Sequence, residues 1–473
     1  MRVLLVNPPA GFSYGILGIS RPPLGLAYIA AVLKPRHHVE IADFNVGNRN
    51  WKKYPYRDFD VVGISVDTSR CNVAMKIAQA AKSQGATVVA GGPHVSFLDK
   101  EALATGAVDY VVRNEGEYTL LALVDCLERK DRLEDVKGIS YLEAGALVRT
   151  PDAPVIKDLD SLPFPARELL PLSLYKEKMN GRPMTTLVSS RGCPFNCEFC
   201  SSSQFMGVGW RARSVESILK EVELLHDTYN YRALSFVDDN FTLKPDRAIR
   251  ISEAIIARGW NLVWAAMTRV DTIVANPGMV RTMARAGFRW TFIGFESGNQ
   301  EALDKYGKKA KVDDAFKAMQ ILRENGVSVT GAFILGAPDE TKEMIKRTIS
   351  YAQRLNPHRA QFSILTPYPG TRLYDRVEDR LLTRDWKFYS GLYPTIKMDH
   401  MSADQMRKLH ILAYMSFYLR LSKAAENLSH IGRLVPTISK HYAMRAIAQP
   451  AHLASYPVIG AWKSLVWFQR FFS

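Results

Sequence analysis

Cys193, Cys197 and Cys200 stand together in the stretch SSRGCPFNCEFCSSS, residues 189–203, of a chain that holds five cysteines. The C-x3-C-x2-C spacing puts three thiols on one short loop. Three thiolates so spaced can wrap three corners of a cubane [4Fe–4S] cluster and leave the fourth iron open to chelation by a substrate. Structural zinc competes for the same donors, but it wants four ligands. Cys71 and Cys126 are too isolated in the sequence to complete such a set. So few cysteines make no disulfide framework, and they fit a reducing compartment.

The elements that must position this loop are legible as alternating apolar strands and amphipathic helices. Residues 1–150 read as RVLLVNPP, HVEIADF, DVVGISV, ATVVAGGPH and VDYVVRNEGE, separated by helical runs such as PLGLAYIAAVLK and VAMKIAQAAKSQG. This pattern predicts an α/β domain with a doubly wound parallel sheet. A ligand of such a sheet lies at the carboxyl ends of its strands. The residues expected there are Gly11, Gly15, Thr68, Ser69, Gly91, Gly92, Pro93, Glu115, Gly116 and Glu117. Neither GxGxxG nor GxxxxGK[ST] occurs among them, so a dinucleotide or P-loop site has no support. Residues 151–180 are proline-rich and read as a linker. From 181 to 395 the β/α alternation resumes, which predicts a partial (β/α) barrel with its active site at the strand carboxyl ends. Residues 396–473 read as a helical C-terminal region, and Leu428 to Ser473 carries five Lys/Arg and no Asp or Glu.

The 473 residues exceed one ordinary core, and two or three domains are the expectation. A net charge of +15 fits an anionic partner and equally a basic proteome background. The chain holds no RRM, KH or helix-turn-helix signature, so nucleic acid is not expected. MRVLLVNPPAG reads as a strand and not a signal peptide, and no apolar run reaches 18 residues. A cytoplasmic protein is the expectation.

The three-cysteine motif after a strand, with Phe199 before its last cysteine, resembles the signature of radical S-adenosylmethionine (SAM) enzymes over about residues 180–395. That resemblance implies a [4Fe–4S] cluster on Cys193, Cys197 and Cys200, whose open iron chelates SAM. It also implies SAM contacts from Asp238 and Asp239 in SFVDDNFT, from Arg269 in TRVD, from Glu296 and Ser297 in GFES, and from Pro338 in ILGAPDET. NPP with Pro8, PLGLAYIAA, GGPHVS and NEGEYT resemble the cobalamin-binding domain that precedes the barrel in one large subfamily. The D-x-H-x-x-G motif of corrinoid proteins is absent, so a histidine as lower cobalt ligand is not indicated, and Cys71 reads as a buried small hydrophobe. Methylthiotransferases share the layout but need three cysteines in the first domain, where this chain has Cys71 and Cys126.

The resemblance implies a cobalamin-dependent radical SAM methyltransferase that moves a methyl group from SAM, by way of methylcobalamin, to an unactivated carbon. Its partners would be SAM, cobalamin, a low-potential electron donor and a protein or lipid substrate. Tyr368, Arg372 and Trp210 are candidates for the substrate wall. The stretch CSSSQFMGVGWRARS is similar to enzymes that C-methylate a glutamine of methyl-coenzyme M reductase. The basic tail with Trp462 and Trp467 fits equally a peripheral membrane contact and a hopanoid or isoprenoid substrate, an acidic protein, or packing on the barrel. An oxidative cyclase shares all these motifs, and a cobalamin or SAM sensor has no need of an open iron.

Overall fold

The computed structural model describes residues 1–10, 20–47, 50–420 and Lys423. Gly11, Gly15 and the basic stretch from Leu428 to Ser473 lie outside the described residues.

Two seven-stranded sheets organise the described chain. The first runs in the order β2 (His38–Asp43), β1 (Arg2–Asn7), β3 (Val61–Ser65), β4 (Thr87–Gly91), β5 (Tyr110–Val112), β6 (Ile139–Glu143) and β7 (Ala146–Arg149). β1 to β5 are parallel. Their sequences are apolar without alternation because both faces are covered. Leu4, Val6, Val62 and Ile64 pack toward the helix Cys71–Ser83 on one face. Val3, Leu5, Val61 and Val89 pack toward the helices Leu24–Leu33 and Glu117–Arg129 on the other. The sheet is thus doubly wound, as its sequence predicts. The antiparallel hairpin β6–β7 at its far edge is an addition. Its two-residue turn puts Ala144 and Gly145 both at positive φ, the geometry that matches strand twist.

The second sheet runs β16 (Arg359–Ile364), β15 (Ser328–Leu335), β14 (Phe288–Glu296), β13 (Val263–Thr268), β12 (Ala233–Phe236), β9 (Arg182–Leu187) and β8 (Lys178–Met179). β9 and β12 to β16 are parallel, and β8 is an antiparallel edge. It is a half-barrel. Its outer helices bury one continuous core that includes Trp264, Phe288, Phe333 and Phe362. The helix Ala403–Tyr418 closes the β16 end, where Phe417 and Tyr414 meet Phe362. A separate two-stranded ribbon, β10 (Ser190–Arg191) with β11 (Arg211–Ala212), stands at the mouth of the half-barrel.

The proline-rich segment between the sheets is a strap stapled to both. The Ala166 N–H donates to the Ala27 carbonyl of the first domain at 2.9 Å. The next residue, Arg167, is fully buried against the second sheet, where it reaches the Thr186 carbonyl at 2.7 Å and Glu221 at 2.9 Å. Arg213 grips the other oxygen of Glu221. Glu221 therefore bridges two buried guanidinium groups with its one negative charge. Replacing it by Ala leaves both without their carboxylate, and breaking such a pair costs about 3–5 kcal/mol. Urea unfolding of Glu221→Ala is expected to show that loss; a midpoint unchanged from wild type would contradict it.

Candidate active site

The thiol loop starts where β9 ends. β10 pairs with β11 so that Ser190 faces Ala212 and Arg191 faces Arg211, which pinches the base of the loop shut. Gly192 makes this closure possible. Its φ is +80°, and a Cβ there would lie 2.3 Å from the Gly209 carbonyl oxygen. Within the loop the Cys200 N–H donates to the Cys197 carbonyl at 3.1 Å. The Glu198 N–H donates to the Tyr306 carbonyl at 3.1 Å, and the Phe199 ring meets Tyr306 edge-on at 5.3 Å. Glu198 pairs with Arg376 at 2.9 Å, and Arg372 donates to the Asn196 carbonyl. Arg269 lies 3.5 Å over the ring of Phe195. Phe195, Asn196, Glu198 and Phe199 are thus held from outside the loop, and the three thiols remain free and half-buried.

Burial pushes the Cys193 and Cys197 thiols up, and the Cys200 thiol pushes the same way. The Arg269 guanidinium opposes this at both, and the Lys308 ammonium opposes it at Cys197. The donor set suits a polynuclear cluster. Among the described residues, the trio whose donor atoms all lie within 4.8 Å of one another is His37, Asp125 and Glu128, so the three thiols spread wider than that. Ligands around one tetrahedral zinc, at about 2.3 Å each, stand about 3.8 Å apart.

The other barrel residues expected at the site divide by what their side chains touch. Asp239 lines a cavity beside the loop and accepts from the Ser202 hydroxyl; burial pushes its carboxyl up. Glu296 sits at positive φ at a bulge in β14 and pairs with Lys308. Pro338 lies in a loop closed by the buried Glu340, which accepts from the Gly336 N–H at 2.6 Å and is pushed up to about 7 by burial. Two residues are engaged within the protein. Asp238 is spent on the Ser189 N–H at 2.7 Å and the Ser190 hydroxyl at 2.7 Å, so it braces the loop base from behind. Ser297 is buried against Thr348 and Asn299 and caps a turn. Phe199 supports the loop through Tyr306.

At the edge of the first sheet two cavities adjoin. One of about 300 Å³ runs from Leu5, Gly63 and Val89 inside the domain out to Ser202, Phe205 and Asp239 of the barrel. Gly91, Gly92, Pro93, Glu115, Gly116 and Glu117 line it. A Cβ on Gly92, whose φ is +109°, would lie 2.8 Å from the Val66 carbonyl, and a Cβ on Gly63 would lie 3.0 Å from Leu5. Both glycines are thus required by close packing against the protein's own Val66 and Leu5, and both line the cavity. The second cavity, about 660 Å³, holds Thr68, Ser69, Arg70, Ser201 and Tyr368. Pro8 bounds this side through its carbonyl, which accepts from Arg70 at 3.0 Å. Gly25, Leu26, Ser65 and Pro93 line both cavities. No histidine lines either one among the described residues. Cys71 is core, packed behind β3, and burial pushes its thiol up to about 12. Trp210 lies under Arg247, 5.6 Å from its ring, with its Nε1 unpartnered.

Glu115 and Glu117 face the barrel ribbon as well as the cavity. They line the smaller cavity, yet their carboxylates are taken by Arg191 and Arg211 of the barrel ribbon. Arg191, Arg211, Lys308 and Phe195 were not singled out from sequence. The signal within reach was position alone, since Arg191 stands two residues before Cys193.

Comparison with known families matches residues 187–352 to the radical SAM superfamily and residues 18–124 to the B12 binding domain. An uncharacterized methyltransferase of Pyrococcus horikoshii is 39% identical over 433 residues, covering 89% of this chain and 93% of its own length. The anaerobic magnesium-protoporphyrin IX monomethyl ester cyclase of Rubrivivax gelatinosus is 27% identical, covering 89% of this chain and 78% of its own. The hopanoid C-3 methylase of Methylococcus capsulatus is 27% identical, covering 82% and 75%. Among solved structures, the radical SAM methyltransferase TsrM from Kitasatospora setae, with cobalamin and a [4Fe–4S] cluster bound, is similar with a TM-score of 0.66 at 19% identity, covering 80% of this chain and 74% of that one. The cobalamin-dependent radical enzyme OxsB with aqua-cobalamin bound gives 0.72 at 19% identity, covering 99% and 80%. The structural likenesses speak for the fold.

His94 follows Pro93 beneath the larger cavity, buried against Thr68 at 3.3 Å and edge-on to Trp386 at 4.9 Å. Burial pushes its imidazole down to about 4, against an opposing pull from Asp67. The unfolded chain takes up this proton below about 6.5, and the folded chain does not. The folded state is therefore at full advantage above pH 6.5 and loses up to about 1.4 kcal/mol per pH unit as pH falls toward 4. His94→Phe should flatten the stability profile between pH 6.5 and 5 by about 1 kcal/mol per pH unit, read by urea unfolding. An unaltered slope would show that His94 does not titrate on unfolding.

Proposed function

The chain belongs to the cobalamin-dependent radical SAM methyltransferases, and from that premise we propose that it C-methylates an unactivated carbon of a substrate admitted between its two sheets. The observation that carries this reading is the convergence of the thiol loop with both cavities. Ser201, next to Cys200, lines the larger cavity, and Ser202 lines the smaller one. When bound, the cluster with SAM supplies a hydrogen-abstracting carbon radical and cobalamin carries the methyl group. One C–H bond becomes C–CH3; two SAM and two electrons from a low-potential donor are consumed, and 5′-deoxyadenosine, methionine and S-adenosylhomocysteine leave.

In this reading residues 1–150 bind cobalamin, 151–180 link, 181–395 form the radical SAM half-barrel, and 396–473 form the C-terminal region. Cys193, Cys197 and Cys200 hold iron. Asp239, Arg269, Glu296 with Lys308, and the Pro338 loop surround SAM, with Asp238 and Ser297 bracing them. Pro8, Thr68, Ser69, Gly91, Gly92, Pro93 and Gly116 bound the corrinoid, and the carboxylates of Glu115 and Glu117 act on the barrel ribbon instead. Tyr368 and the hydroxyls around it exclude water and face the substrate.

The net charge of +15 supports an acidic protein as substrate, with a glutamine of methyl-coenzyme M reductase as the specific candidate in a cytoplasmic setting. The hopanoid methylase relative favours a second reading, a hopanoid or isoprenoid lipid met at a membrane surface. No described helix is long and apolar enough to cross a membrane. The cyclase relative shares the layout and marks the reaction type to be separated.

Protein reconstituted without oxygen with iron, sulfide and cobalamin should, given SAM and a low-potential reductant, yield 5′-deoxyadenosine and S-adenosylhomocysteine by mass spectrometry. Cys197→Ala should lose at least about 100-fold of the deoxyadenosine, since a missing ligand opens the cluster. Deoxyadenosine without S-adenosylhomocysteine would favour cyclase-type chemistry, and neither product would contradict the proposal. Label from SAM methyl should appear in the acidic protein on the first reading and in the lipid on the second.

A further inference from the structure

One ion-pair network joins the domains at the root of the thiol loop. Arg191 on β10 spreads its guanidinium between two carboxylates of the first domain, Nη1 to Glu115 Oε1 at 2.7 Å and Nη2 to Glu117 Oε1 at 2.6 Å. Its carbon also lies 5.5 Å over the ring of Tyr28 in the first domain. Arg211, directly across the ribbon, takes the second oxygen of Glu115 at 2.7 Å and the Met206 and Ile156 carbonyls at 2.8 and 2.6 Å. The side chains of Arg191, Glu115 and Glu117 are each more than nine-tenths buried, and that of Arg211 is 13% exposed. Two cations meet two anions, so the network is neutral and leaves no charge for a ligand of the adjoining cavity.

Such a network is a costly way to hold two domains, because four charges give up water. Fixed direction is what it provides in return: a planar guanidinium meeting two carboxylates allows one orientation, which an ammonium does not. The held points are telling. Glu115 and Glu117 flank Gly116 at the cavity wall, and Arg191 is two residues from Cys193. Both strands that close the thiol loop are gripped at the same cross-strand pair, Arg191 with Arg211.

We propose that Arg191 is a positioning residue, which through Glu115 and Glu117 fixes the separation between the cavity of the first domain and the thiols of the second. The inference rests on the cofactor assignment above, because it gives that separation a purpose: the methyl carrier and the hydrogen-abstracting centre must reach the same carbon.

The test is a distance. In the holoenzyme, cob(II)alamin and the reduced cluster are both paramagnetic, and pulsed dipolar electron spectroscopy reads the spread of their separation. Wild type should give one narrow distribution. Arg191→Met, with iron and cobalamin contents matched to wild type, should give a distribution at least two-fold broader, and Arg191→Lys an intermediate one. If Arg191→Met fails to fold, Glu117→Gln is read instead; it keeps the Glu115 half of the grip and should broaden the distribution by less. A width equal to wild type in whichever of these loaded variants is read would overturn the proposal. Absence of either paramagnetic signal from wild type would overturn the cofactor assignment and the clamp with it, and the missing signal tells that failure apart from an unchanged width.

Discussion

A parallel strand delivers its following loop at its carboxyl end, and every chemically capable residue of this protein depends on that constraint. Two parallel sheets meet with those ends toward each other. Ser65 and Gly91 end strands of one sheet, and Val237 and Asp239 follow a strand of the other, and all four border the same small cavity. The thiol loop reaches both cavities between them through Ser201 and Ser202. It stays in place because its base is a two-stranded ribbon and its body is held by Tyr306, Arg372 and Arg376. Nothing in the thiols themselves would fix their direction.

Buried carboxylates and guanidinium groups pair around this meeting in two networks. Glu221 answers Arg167 and Arg213 behind the loop, and Glu115 and Glu117 answer Arg191 and Arg211 beside it. Each is a buried network that is stable only when complete. Closer to the thiols, Arg269 and Lys308 are the cations that oppose the upward push of burial on Cys197. Cations near this loop favour thiolate, the form that binds iron.

Much of this was readable in the chain. Apolar runs such as RVLLVN and VVGIS are buried on both faces and gave the doubly wound sheet away. The β6–β7 hairpin was not legible, because its turn depends on Ala144 adopting a positive φ that alanine rarely takes. At the site, spacing singled out the three thiols and the small residues of the sheet edge. Side-chain commitment was beyond spacing: Asp238 and Asp239 are neighbours, yet one braces serines behind the loop and the other faces a cavity. Glu115 and Glu117 looked like ligand contacts because they follow a strand; only the fold shows that two arginines, 74 to 96 residues on in sequence, reach their carboxylates. The basic C-terminal stretch lies outside the described residues and stays an expectation from sequence.

The central claim is that three thiols on this loop hold a cluster with one open iron. Electron–nuclear double resonance on the reduced, reconstituted protein with SAM labelled at its amino nitrogen and carboxylate oxygen tests it most directly. The account predicts hyperfine coupling from both labels, which direct chelation of the open iron requires. A reduced cluster with SAM bound and coupling from neither label would mean that the fourth iron is already closed, and would contradict the account.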